Sequence, residues 1–256
     1  MTNNVYLEDI PLDEAWQRFT AALQSIGRWQ SIEGEELPID RALGRVTAEP
    51  IWARVSSPAY HASAMDGYAV RAEDTLHATE TSPVQLKIGS EPQYLDTGDP
   101  LPAWATAVIQ IEHVQPIGND AIEIMSSIAP WTAVRSMGED MVATELVLPA
   151  NHILRPVDLG AIAGSGHATI KVRRKPRVAI IPTGTELISI DQAARSGVKS
   201  GDIIEYNSIV LAAQIEAWGG EPHRYEIVWD DFEKIKAAVQ DAAVQCDLIL
   251  INAGSS

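Results

Sequence analysis

Between Lys175 and Asn252 the chain alternates short apolar runs with segments of helical period, and no other stretch limits its possible folds as tightly. Arg177-Val178-Ala179-Ile180-Ile181 is too short for a helix and too continuously apolar for a strand with one wet face. It reads as a buried parallel strand that ends on the turn Pro182-Thr183-Gly184. Asn207-Ser208 then offers a helix cap, and Ile209, Ala212, Ala213, Ile215 and Ala217 carry a helix to Gly219-Gly220. A second strand is expected over residues 225–228. Asp230, with Glu233 three residues on, has the form of a capping box and opens a helix over 232–244. A third strand over 247–251 runs into Asn252-Ala253-Gly254. Strand, helix, strand, helix, strand begins a doubly wound α/β domain, whose ligands bind beyond the carboxyl ends of the strands. Residues 183–186, Asp230-Asp231 and 252–256 should therefore share one rim.

The remainder of the chain has a different character. Leu12, Ala15, Trp16, Phe19, Leu23 and Ile26 fall on one helical face, with Pro11 at its start and Gly27 as terminator. Residues 40–48 predict a short helical turn followed by an extended arm. From 56 to 134 prolines, turn residues and the short apolar runs 84–88, 107–111 and 121–125 predict a compact β domain, with Gly118-Asn119-Asp120 turning a hairpin. Residues 159–164 read as a short helix in a linker. The expected organisation is α/β plus β and multidomain. An N-terminal helix and linker region spans 1–55, a mostly β domain 56–134, a second linker segment 135–175, and the first half of a doubly wound α/β domain 176–256.

Composition removes several classes of function. No apolar stretch approaches the ~20 residues that span a bilayer, and Met1-Thr2-Asn3-Asn4 does not open a basic-then-apolar leader, so a soluble cytoplasmic protein is expected. The single cysteine, Cys246, can form no internal disulfide and no cysteine-based metal cluster. A formal charge of −16 repels a phosphate backbone and argues against nucleic acid as a partner. The one basic cluster, Lys171-Val172-Arg173-Arg174-Lys175, reads as a solvated edge of a linker.

The chemistry-bearing motifs occur in a fixed order. Ser63-Ala64-Met65-Asp66-Gly67-Tyr68-Ala69-Val70 places a carboxylate beside a glycine, where backbone can approach a ligand closely. Thr97-Gly98-Asp99-Pro100-Leu101 offers a hydroxyl in a turn. Arg135-Ser136-Met137-Gly138-Glu139-Asp140 carries an arginine of the kind that binds phosphate. Pro182-Thr183-Gly184-Thr185-Glu186-Leu187 puts a glycine at a strand end, where amides can face an anion and Glu186 can ligate a cation. Walker, zinc-protease and serine-hydrolase motifs are missing from the sequence.

Together these motifs resemble the molybdopterin molybdenumtransferase family, the MoeA type, related to the C-terminal part of gephyrin. The resemblance covers roughly residues 7–256 and ends where the family's last loop would begin, so a chain truncated within its α/β molybdopterin-binding domain is expected. It implies a transferase that takes adenylylated molybdopterin and molybdate, uses Mg2+, inserts molybdenum and releases AMP. It implies Asp66, Thr97, Glu186 and Asp231 as catalytic residues, and Ser63, Gly67, Arg135, Thr183, Gly184, Asn252, Gly254 and Ser255 as cofactor-binding. Glu186, Asp230 and Asp231 are the implied metal ligands. A homodimer is implied as well, with the Asp66 segment reaching the partner's α/β domain, and other cofactor-assembly proteins as further partners. Two positions depart from the family pattern: Thr185 stands in place of an aspartate, and His61-Ala62 in place of aspartate-asparagine. These departures leave open a non-catalytic molybdopterin-binding or scaffold relative, or an inactive fragment of a longer enzyme.

Overall fold

The computed structural model describes residues 10–89 and 91–253 and divides into two compact units, Met1–Glu35 with Lys171–Ser256, and Glu36–Ile170. Five α-helices lie among the described residues: α1 Leu12–Ser25, α2 Pro156–Gly164, α3 Ile190–Ser196, α4 Asn207–Ala217 and α5 Phe232–Gln245. Three sheets have three strands each. Their strands are β1 Gly67–Val70, β2 Val84–Lys87, β3 Gln93–Leu95, β4 Ala107–Gln110, β5 Val114–Ile117, β6 Ala121–Ile124, β7 Arg177–Pro182, β8 Glu221–Arg224 and β9 Leu248–Asn252.

In the unit Glu36–Ile170 two antiparallel sheets, ordered β3-β1-β4 and β2-β6-β5, share one core. Strand alternation explains it. Val84, Leu86, Ile122 and Ile124 turn inward against Val70, Ala107 and Ile109, while Gln85 and Lys87 stay in water. Gly118, at φ 61°, turns the hairpin between β5 and β6, whose register closes at Ile117 opposite Ala121. Residues 44–54 lie along residues 144–165 through backbone pairs such as Gly44 N–H to Leu154 O at 2.9 Å and Ala53 N–H to Glu145 O at 2.8 Å. The helix expected over 159–164 begins earlier, at Pro156. Buried Asp158 accepts the Arg155 amide and guanidinium there, as well as a bond from His152 Nε2 at 2.8 Å, and these partners hold its carboxyl well below the ordinary range.

The other unit holds a parallel sheet of order β8-β7-β9. Central β7 is buried on both faces: Val178 and Ile180 pack with Leu211 and Ile215 of α4, and Ala179 and Ile181 pack with Ala238 and Ala242 of α5. Helices on both faces of a sheet in strand order 2-1-3 make the doubly wound start that the sequence predicts. Cys246 packs into the second of these clusters, and burial raises its thiol pKa.

Two boundaries are corrected. The second strand is Glu221–Arg224 rather than 225–228, because an edge strand with one neighbour tolerates the polar sequence Glu-Pro-His-Arg and a proline. Residues 225–228 continue alongside it, with Tyr225 N–H on Ile180 O and Val228 N–H on Pro182 O, both at 2.9 Å. The cap of α5 is Asp231 rather than Asp230; its carboxylate accepts the Lys234 amide at 3.0 Å. The basic cluster is also less free than a solvated edge. Arg174 bridges Glu33 at 2.8 Å and Asp247 at 2.7 and 2.9 Å, which depresses the Asp247 carboxyl to about 2. α1 forms with its apolar residues Leu12, Trp16 and Phe19 exposed.

Candidate functional site

The carboxyl end of β7 is the first part of the site. Pro182 closes the strand, and Thr183 is held to both neighbours: its N–H donates to Asn252 O at 2.9 Å, its hydroxyl to the same oxygen at 3.3 Å, and it bridges Val228. The Gly184 N–H donates to Val228 O at 3.1 Å. The amides of Thr183 and Gly184 are thus engaged within the sheet, which corrects the expectation that they face an anion. Glycine at 184 has another use. At φ 156°, a Cβ there would lie 2.7 and 2.8 Å from the two carboxylate oxygens of Glu186. Glycine at 184 leaves room for the half-buried Glu186 carboxylate to fold back over the strand end, and a Cβ there would push the end of that side chain aside. The Glu186 carbonyl accepts Ile203 N–H at 2.8 Å, which fixes the main chain of this loop.

Asp230 and Asp231 follow the adjoining segment after Trp229 and are exposed. Asp231 contributes its carboxylate to the α5 cap. Among the described residues no three His, Cys, Asp or Glu side chains gather into a metal cage, so Glu186, Asp230 and Asp231 form no closed ligand set. Asn252 contributes its carbonyl to Thr183. Gly254 and Ser255, also expected at this rim, lie outside the described residues. The point where strand order reverses, between β7 and β9, carries Thr183, Gly184 and Asn252, the place where a doubly wound sheet opens its ligand crevice.

The unit Glu36–Ile170 gathers the second part. Asp66 enters β1, and one of its oxygens accepts two bonds from Thr97: the hydroxyl at 2.8 Å and the backbone N–H at 2.7 Å. These donors, the hydroxyl first, hold the Asp66 carboxyl below its ordinary value. The Thr97 turn is closed by Asp99, which accepts the Asp96 amide at 3.0 Å, and is fastened to Ser63 by two backbone bonds of 2.9 Å. Ser63 is buried and its hydroxyl donates to Met65 O at 2.5 Å, so it shapes the loop. Gly67 has a reason different from the one its neighbour suggested: a Cβ there would lie 2.0 Å from the Ile109 carbonyl oxygen. The close approach is to the chain's own β4. Arg135 pairs across a short ladder with Ala62 and is exposed, its guanidinium on Asp140 at 3.0 Å and near Glu139 at 3.7 Å.

One group escaped the sequence reading. A crevice of about 420 Å³ beside the ends of β7 and β8 is lined by Pro182, Glu205, Ile209, Arg224 and Tyr225 among others. Buried Glu205 accepts the Ser208 amide at 2.8 Å and the Ser208 hydroxyl at 2.6 Å, and Arg224 Nε donates to that hydroxyl oxygen at 3.0 Å. Glu205, rather than Asn207, thereby satisfies the first turn of α4. An acid just ahead of a helical run was the signal available.

Comparison with known proteins places two family descriptions on the chain. "MoeA N-terminal region (domain I and II)" matches residues 10–166, and "Probable molybdopterin binding domain" matches residues 179–256. Molybdopterin molybdenumtransferase 2 of Mycobacterium tuberculosis is 34% identical over 235 residues, covering 86% of this chain and 57% of the relative. Molybdopterin molybdenumtransferase of Nostoc sp. is 30% identical over 230 residues, covering 84% and 52%. The crystal structure of the molybdopterin biosynthesis MoeA protein from Pyrococcus horikoshii superposes with a TM-score of 0.81 at 34% identity, covering 95% of this chain and 66% of that one. The chain thus spans little more than half the length of these curated relatives.

Proposed function

Because the chain belongs to the MoeA family, we propose that its protein acts in molybdenum cofactor biosynthesis as a molybdopterin molybdenumtransferase. In this reading it takes adenylylated molybdopterin and molybdate and releases AMP as molybdenum enters the dithiolene. The observation that carries the proposal is the Glu186 carboxylate folded over Gly184 at the switch point of a sheet whose matched description is molybdopterin binding.

Each residue then has a role set by its surroundings. Asp66, held ionised by Thr97, is a poor proton acceptor near neutral pH and serves as a fixed negative acceptor that orients a substrate donor or a hydrated cation. Arg135 keeps guanidinium N–H groups beyond those on Asp140 and offers them to an oxyanion. Glu186 and Asp230 would be the carboxylates that hold Mg2+, a hard cation that takes one or two carboxylates together with substrate phosphate. When bound, Mg2+ neutralises charge on the phosphoanhydride oxygens. The two parts of the site lie in separate units, and the proposal completes one catalytic centre from two protomers of a homodimer.

A non-catalytic binding or scaffold role is the second reading, favoured by Thr185 where the family pattern has an acid. AMP release from adenylylated molybdopterin, measured with and without molybdate, decides between them. Molybdate-dependent release supports the transferase; binding of the adenylylated molybdopterin with no AMP formed supports the scaffold.

A further inference from the structure

His61 makes a contact that only one protonation state permits. The Met137 backbone N–H donates to His61 Nδ1 at 3.0 Å. A backbone amide can only donate, so Nδ1 carries a lone pair and the ring proton of the neutral imidazole sits on Nε2. The ring also packs on Trp131, centroids 4.9 Å apart. Trp131 and Ala133 both hold left-handed backbone, φ 66° and 51°, a conformation that bulky residues keep only where neighbours enforce it. The Trp131 N–H is tied to Thr106 O at 2.7 Å, and the Ala133 carbonyl receives Ala64 N–H at 2.9 Å, just ahead of Asp66. The segment beyond Arg135 is fastened along the same line, Gly138 N–H on Pro58 O at 2.9 Å and Asp140 N–H on Ser57 O at 3.0 Å.

We propose that His61 is a positioning residue whose Nδ1 lone pair holds the turn at Met137, and through it Arg135. The charged groups on the elements packed against His61 are Arg135, Glu139 and Asp140 on the turn it holds. Asp99 lies on the segment whose Leu101 N–H binds the His61 carbonyl at 2.8 Å, and Tyr60 is beside it in the chain. The catalytic consequence rests on Arg135 binding an oxyanion of the proposed substrate.

Amide hydrogen exchange at Met137, corrected for intrinsic exchange, reads the clamp without any ligand. Wild type is compared with His61→Ala and with His61→Asn, whose Oδ1 accepts but does not protonate. At pH 8 the alanine variant should lose protection about tenfold while asparagine stays within about threefold. The KM for adenylylated molybdopterin should rise in His61→Ala and stay near the wild-type value in His61→Asn, with kcat unchanged in both. Equal protection of Met137 in wild type and His61→Ala, or a loss of protection in His61→Asn as large as in His61→Ala, overturns the proposal. If no variant turns over, the transferase reading fails while exchange still decides the clamp.

Discussion

Two glycine-to-alanine substitutions in one unit should move stability in opposite directions, and the geometry sets both signs. Gly67 sits in the central strand of its sheet, paired with Leu95 on one side and Gln110 on the other, so it cannot retreat either way. A Cβ there would meet Ile109 O at 2.0 Å, Ile109 C at 2.9 Å and Gln110 Cα at 3.1 Å, all backbone atoms. An ordinary carbon–oxygen contact is about 3.3 Å, so β1 and β4 must part by more than an ångström. That stretch breaks the neighbouring bond from Ile111 N–H to Asp66 O, now 2.9 Å, and at least one ladder bond beside it. Two lost hydrogen bonds at about 1 kcal/mol each, with about 1–3 kcal/mol of overpacking, destabilise the unit by about 3–5 kcal/mol. At about 3 °C per kcal/mol the melting temperature falls by roughly 10 °C or more. Gly160 lies inside α2 with nothing within 4 Å of its Cβ position, and Gly160→Ala should stabilise by about 0.5–1 kcal/mol. Thermal melts followed by circular dichroism, with urea unfolding alongside, read both. A Gly67→Ala melt within about 2 °C of wild type would refute the reasoning, because no backbone clash of this size could then be present.

Other outcomes follow from the same geometry. Thr97→Val removes the hydroxyl that is the main cause of the depressed Asp66 carboxyl while keeping the amide donor, so the Asp66 titration should move up toward the ordinary carboxylate range, read by carbon-detected NMR. Asp247, depressed to about 2 by Arg174, contributes stability that is fully present above the unfolded carboxylate value of about 3.9 and lost as pH falls toward 2. Asp247→Asn should therefore lower stability at pH 7 and flatten its decline below about pH 4; an unchanged acid slope would contradict the ion pair's role.

The sequence made parts of this protein legible for identifiable reasons. β7, β2, β4 and β6 announce themselves because burial on one or two faces demands apolar residues at fixed period. β8 does not, because its outer edge has no partner and needs no apolar residue, so Glu-Pro-His-Arg passes for a loop. The long pairing of residues 44–54 with residues 144–165 runs through isolated bridges and two-residue ladders, too short to leave a periodic trace. Asp66 and Thr97, from two separate motifs, meet through two hydrogen bonds that neither motif states, and the reason for Gly67 was equally hidden: its neighbour is Ile109, forty-two positions away in the chain. The capping acids show the limit of local reading, since Asp231 and Glu205 were each displaced by one or two positions from the residue that pattern favoured.

The most direct test of the account measures molybdate-dependent AMP release by wild type, by Asp66→Ala, by Glu186→Ala, and by the two variants mixed and allowed to exchange protomers. The account predicts a loss of about a hundredfold or more in each variant alone. It also predicts recovery toward about a quarter of wild-type activity in the mixture, since random pairing leaves one intact composite site in half of the dimers. Undiminished release by both single variants would contradict the site, and two inactive variants with no recovery on mixing would contradict its assembly from two protomers.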